Sequence, residues 1–272
     1  MNALAEWIAA HALLLWVLLP LLALLGSDLA WQHNERLRLT AVANGRQPDV
    51  MQSRTIVMLG TLATLLFAVI AFAIGTGEPG ALVRFDTVLA ADMHTQLPQS
   101  AMPLLSTVSL LGDTPWVVTM STLMLLILLL RRQWSLSACW AIVQVGILPL
   151  AYGIKDSFQF QRKRPPHDTR FVTDVGWSFP SGHAISSAVF YGMLAYVLLR
   201  LLPPRWHRVV IAAAVLLAGL IGISRILLQA HYFSDVVAGY ACGLAWLTLC
   251  IGLAERLRRC DMMRSFAGKP CR

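Results

Sequence analysis

Residues 55–76 read TIVMLGTLATLLFAVIAFAIGT, with no charged side chain among them. A helix needs about 20 such residues to cross the hydrocarbon of a bilayer. A helix that is apolar all round has no face to offer water, so it belongs inside a large core or a membrane. Outward from this stretch, six more repeat the pattern, at 7–27, 114–131, 136–156, 182–202, 207–226 and 234–254. The chain as a whole agrees: of 272 residues, 57% are hydrophobic and 13% charged, and mean hydropathy is +0.64. A soluble domain requires a polar exterior that this composition cannot supply. The expected fold is an all-α, polytopic membrane helix bundle.

Two stretches need separate treatment. The first, 7–27, is preceded by Glu6 and by no Lys or Arg, so it reads as a retained helix and not a signal peptide. Residues 77–113 mix Glu78, Arg84, Asp86, Asp92 and Asp113 with short apolar patches. That pattern suits helices lying in the interface.

The net charge of +8 has a topological explanation. If the segment 28–54 is a cytoplasmic loop, alternation puts fifteen of the 22 Lys and Arg inside, as cytoplasmic loops of membrane proteins prefer. No basic helix interleaved with aromatics accompanies the charge, so a nucleic-acid partner is not expected. Lys155, Arg162, Lys163, Arg164 and Arg170 then fall outside, against that preference. A standing anion is the simplest cause. The five cysteines show no CxxC or Cys/His spacing, so neither a disulfide framework nor a zinc site is expected.

Three outward stretches carry chemistry. Lys155 to Pro165 closes the fourth span; Pro180-Ser181-Gly182-His183 opens the fifth; Ser224-Arg225 with His231 and Asp235 joins the last two. Arginine offers planar, bidentate donors for phosphate oxygens, and lysine a point charge. Ser181 and Gly182 stand at a helix start, where free N–H groups favour an anion. His231 and Asp235, four apart, share a helix face, so the carboxylate can fix the imidazole tautomer and leave one nitrogen free to attack. His183 is a second imidazole, suited to protonating a leaving oxygen. Alone, each has a bland reading as a turn, a surface pair or a topological exception. Their coincidence on one membrane face is what those readings do not predict.

Together the three stretches resemble the signature of the type-2 phosphatidic acid phosphatase (PAP2) superfamily: Lys-x6-Arg-Pro, Pro-Ser-Gly-His and Ser-Arg-x5-His-x3-Asp. The second and third motifs match throughout. The first departs, because Lys155 lies nine residues before Arg164 and not seven; Lys163 or Arg162 are the alternatives for its charge. The resemblance implies a six-helix core at 55–254, an extra N-terminal helix and loop at 1–54, and a basic cytoplasmic tail at 255–272. It implies catalysis by His231 as nucleophile, Asp235 as its partner and His183 as acid. Lys155, Arg164, Ser181, Gly182 and Arg225 would bind the phosphate.

The resulting expectation is a metal-independent, cofactor-free membrane lipid phosphatase working through a phosphohistidine on the outer face of a bacterial inner membrane. Candidate substrates are an isoprenyl (undecaprenyl) diphosphate, phosphatidylglycerophosphate, phosphatidic acid and a lipid A phosphate. A lipid phosphotransferase would share every motif, and a lipid transporter would share the basic cluster. His11, His33, His94 and His207 read as packing or interfacial residues, and Gly239 with Gly243 as a close helix contact. His167, Asp168, Arg170 and Asp174 lie between motifs, where they could tune headgroup choice.

Overall fold

The computed structural model describes residues 12–45, 49–75, 80–96, 99–157, 162–166, 172 and 176–267. Among them the chain forms helices α1 (Ala12–Ala43), α2 (Ser53–Gly75), α3 (Ala81–Gln96), α4 (Met102–Leu110), α5 (Thr114–Leu130), α6 (Trp134–Ser157), α7 (Gly182–Leu201), α8 (His207–Leu227) and α9 (Phe233–Ala267), and no strand. Six stretches of the described residues are long and apolar enough to cross a membrane: Ser53–Gly75, Gln99–Leu130, Trp134–Asp156, Gly182–Leu201, Pro204–Leu227 and Phe233–Arg259. They fall on the six core spans expected from hydropathy. Their outer faces are apolar: Phe72 is 77% exposed and Leu130 83%, which water would penalise and lipid does not.

The bundle closes around α7 and α9. Trp140, Ile185, Val189, Phe190, Met193 and Leu247 are among the side chains of the main core. The two helices run parallel and almost touch at glycines. A Cβ at Gly239 would stand 2.7 Å from the Ser181 carbonyl oxygen and 2.8 Å from Ala184 Cβ. One at Gly243 would stand 2.9 Å from Ala188 Cβ. The Gly239/Gly243 pair is therefore the seam that draws the start of α7 against the start of α9.

Two boundaries differ from expectation. The segment 28–54 is not a loop throughout, because α1 continues to Ala43. Its polar half has tertiary partners: Trp31 packs edge-on against His207 with ring centroids 5.4 Å apart, Asp28 lies 3.6 Å from Arg208, and buried Asn34 donates to the Val50 carbonyl at 2.9 Å. Charge alone does not stop a helix; the chain turns only at Gly45, with φ +68. The last span, expected to end at 254, continues as helix, since α9 runs on to Ala267. Glu255 is fully buried, accepting from Tyr196 at 2.8 Å and Arg200 at 3.3 Å, and Arg259 pairs with Asp49 at 3.1 Å.

The segment 77–113 forms α3, a 3-10 turn at Gln99–Ala101 and α4. Leu89 and Met93 of α3 are buried against Ala184, Ile226 and Val236, so this segment covers the end of the bundle where α7 and α9 begin and α6 and α8 end.

Candidate active site

At that end the three motif stretches meet. Ser181 caps α7: its backbone is extended (φ −65, ψ 117) and its hydroxyl accepts from the Ala184 N–H at 3.4 Å. The Ser181 N–H donates to the Asp235 carbonyl at 3.0 Å, tying the second motif to the third. Lys155, in the last turn of α6, brings Nζ to 3.6 Å from where a Gly182 Cβ would stand. An ammonium and the first turn of a helix thus face the same space, which suits an anion. Of the alternatives, Lys163 is exposed, while Arg162 is engaged elsewhere.

His231 follows α8 directly. Leu228 ends that helix, Gln229 turns at φ +57, and the N–H groups of Ala230 and His231 both donate to the Arg225 carbonyl, at 2.9 and 3.2 Å. The side chain is 2% exposed. Its Nε2 lies 3.1 Å from Nη1 of Arg164, which also donates to the Ala230 carbonyl at 2.7 Å. A guanidinium has only donors, so Nε2 accepts and carries no proton. The proton therefore sits on Nδ1. Burial pushes the imidazole well below its ordinary 6.5; Asp235 opposes this, and Arg164 and Arg225 reinforce it.

Asp235 is not in direct hydrogen bond to that ring. Its Oδ2 lies 3.8 Å from Nδ1, an ion-pair separation. The hydroxyl of Ser178 stands between, 3.4 Å from Nδ1 and donating to Oδ2 at 2.5 Å. Oδ2 also accepts from the Tyr232 N–H at 3.0 Å, and Oδ1 from Arg162 at 2.7 Å.

Arg162 bridges two buried carboxylates. Besides Asp235 it pairs with Asp86 of α3, donates to Ser234 at 2.7 Å and lies 4.3 Å over the Tyr232 ring. Burial pushes the Asp86 carboxyl up and Arg162 pulls it back. Removing one partner of such a pair strands the other and costs about 3–5 kcal/mol. Its place in the architecture is to hold Asp235, with both terminal nitrogens spent on Asp86, Ser234 and Asp235.

His183, in the first turn of α7, donates from Nε2 to Asp113 at 2.5 Å. Arg225 is buried and donates to Ser109 of α4 at 2.7 Å. All eight site residues expected from sequence thus lie at one end of the bundle. His167, Asp168, Arg170 and Asp174 lie outside the described residues.

Sequence reading did not single out Ser178, Asp113, Ser109, Asp86 or the bridging role of Arg162. Ser178 lies two positions before Pro180, and that nearness to the Pro-Ser-Gly-His stretch was the one available signal. Asp113 follows a glycine and precedes a helix, so it reads as an ordinary cap.

Comparison with known proteins bears on the fold and the family. The family model described as PAP2 superfamily matches residues 132–259. Phosphatidylglycerophosphatase B of Bacillus subtilis (strain 168) is 29% identical over 201 residues, 67% of this chain and 97% of its own. Lipid A 1-phosphatase of Rhizobium johnstonii is 38% identical over 90 residues, 33% of this chain and 32% of its own. The crystal structure of a transmembrane PAP2-type phosphatidylglycerolphosphate phosphatase from Bacillus subtilis superposes with a TM-score of 0.67 at 25% identity, over 74% of this chain and 98% of that one. With six apolar spans among the described residues and the motif stretches gathered at one end, the chain is similar to the membrane lipid phosphatases of the PAP2 superfamily.

Proposed function

We propose that the chain hydrolyses a lipid phosphate or diphosphate through a phosphohistidine on His231, at the outer face of a bacterial inner membrane. The observation that carries this reading is the Arg164 N–H held 3.1 Å from His231 Nε2. It presents an unprotonated nitrogen beside a cation that matches a phosphoryl oxygen. As a phosphoryl oxygen takes over the Arg164 N–H, the Nε2 lone pair is released and attacks phosphorus in line with the leaving oxygen. Ser178 and Asp235 take up the positive charge that develops at Nδ1. His183 gives its proton to the leaving oxygen, and afterwards accepts one from the water that opens the phosphohistidine. Lys155, Arg164, Arg225 and the backbone at Ser181 and Gly182 meet the equatorial oxygens, where charge accumulates. Three cations supply this stabilisation, so the scheme runs without a metal.

A lipid substrate is supported by what adjoins the site. A groove of about 800 Å³ runs between α2, α6 and α9, lined by Phe67, Thr64, Ile154, Trp246, Leu249 and Leu253 among others. Its upper end abuts the phosphate loop: Phe67 stacks on Phe179 at 6.2 Å, and Ile154 precedes Lys155. A hydrocarbon chain laid there would leave its headgroup at Lys155. The relatives named above support phosphatidylglycerophosphate as the first substrate to assay. The outer location follows from the positive-inside charge balance.

The test is phosphate release by the purified chain, with EDTA present, from phosphatidylglycerophosphate, phosphatidic acid and undecaprenyl diphosphate. Release by the wild type, with acid-labile and alkali-stable label on His231, is the expected result. Activity that survives His231→Ala would sink the proposal.

A further inference from the structure

Resting on that reading, we infer that Asp113 is the positioning residue of the acid. Its carboxylate holds the His183 imidazolium so that Nδ1 delivers the proton to the leaving oxygen. Three observations carry this.

First, Asp113 stands at the cap position of α5, with extended backbone (φ −69, ψ 148), yet its side chain makes no cap bond. Asp is among the best caps available, and here the carboxylate accepts from His183 Nε2 at 2.5 Å instead. The local use of the residue is given up for a partner 70 positions away.

Second, the corner that presents it is fastened to the helix that carries the histidine. Ser186 donates to the Gly112 carbonyl and Tyr191 to the Leu111 carbonyl, each at 2.9 Å. At Gly112 a Cβ would meet Ile221 at 2.6 Å, so the corner is pressed against α8 as well. Ser109, one turn earlier, accepts from Arg225. One corner therefore sets both a proton donor and a phosphate-binding arginine.

Third, the Asp113 side chain is 37% exposed. Ion pairs at such exposure add little to stability, so a purely structural role predicts almost no effect of neutralising it.

With Nε2 bonded to the carboxylate, Nδ1 is the nitrogen left to act. As the N–P bond forms at His231 and the P–O bond breaks, the electron pair passes to the leaving oxygen. That oxygen takes the Nδ1 proton, and Asp113 remains ionised throughout. The contribution matters only where the leaving group needs a proton.

The experiment compares Asp113→Asn with wild type on dioctanoyl phosphatidic acid, whose leaving group is an alkoxide, and on p-nitrophenyl phosphate, whose leaving phenolate needs no acid. The quantity read is kcat/KM, which reports transfer to His231 and not the later hydrolysis. His183→Gln sets the scale, since general acids contribute about 10²–10⁴-fold. The expected result for Asp113→Asn is a loss of about 10- to 100-fold on the alkyl substrate and less than about threefold on the aryl one. The double variant should fall no further than His183→Gln alone. Equal losses on both substrates, no loss on either, or additive losses in the double variant overturn the inference. A wild type that releases phosphate from neither substrate refutes the hydrolase reading instead, so the two failures are told apart.

Discussion

Replacing Gly239 by alanine adds one methyl group at a close contact that positions the site. The new Cβ would stand 2.7 Å from the Ser181 carbonyl oxygen and 2.8 Å from Ala184 Cβ. Ordinary contact begins near 3.5 Å, so the start of α7 must retreat from α9 by roughly 0.7 Å. Neither neighbour is the end of a flexible side chain. Overpacking of this kind costs about 1–3 kcal/mol. The catalytic cost is larger, because Ser181, Gly182 and His183 ride on the displaced turn while His231 and Asp235 stay with the other wall. A misplacement of about 1 Å lowers rate by about 10²-fold. The assay is phosphate release on phosphatidylglycerophosphate together with thermal unfolding of the detergent-solubilised chain. Gly219→Ala is the control, since a Cβ there meets nothing within 4 Å. Gly239→Ala should lose on the order of 100-fold in kcat/KM with a modest fall in Tm, and Gly219→Ala neither. If the two variants behave alike, the seam does not set the site.

Two further outcomes follow from the geometry. Because burial holds the His231 imidazole below 6.5, the ring stays neutral above its lowered value and gains a proton only as pH falls through it. Nitrogen NMR of histidine-labelled protein without substrate, with His231→Gln for assignment, should show a midpoint under 6.5; one at or above it contradicts the site as described. Ser178→Ala removes the hydroxyl between Nδ1 and Asp235, a bond to a charged group worth about 1.5–3 kcal/mol. The loss in kcat should be about 10- to 100-fold with KM little changed, and a variant with wild-type kcat would show that Asp235 needs no bridge.

Much of the candidate site was legible because its groups come in short runs. Pro-Ser-Gly-His places a cap, an anion-binding turn and an acid within four positions, and His231 and Asp235 lie four positions apart, although α9 begins only at Phe233 and His231 stands just ahead of it. Lys155 was legible as a cation but not as a neighbour of Gly182, because its spacing from Arg164 departs from the family pattern. The role of Arg162 was not legible, since the carboxylates it bridges lie 76 and 73 positions away.

Hydropathy alone determined that this chain is a bundle of membrane helices, because a lipid solvent requires long apolar runs whatever their packing. Where polar helices stop was another matter. The reach of α1 to Ala43 and of α9 to Ala267 depends on partners such as His207, Val50 and Tyr196, which no local pattern announces. The same holds for the site's inner supports. Ser178, Asp86 and Asp113 are unremarkable in sequence and acquire meaning only when separate helices converge, because a hydrogen bond depends on distance in space and not along the chain.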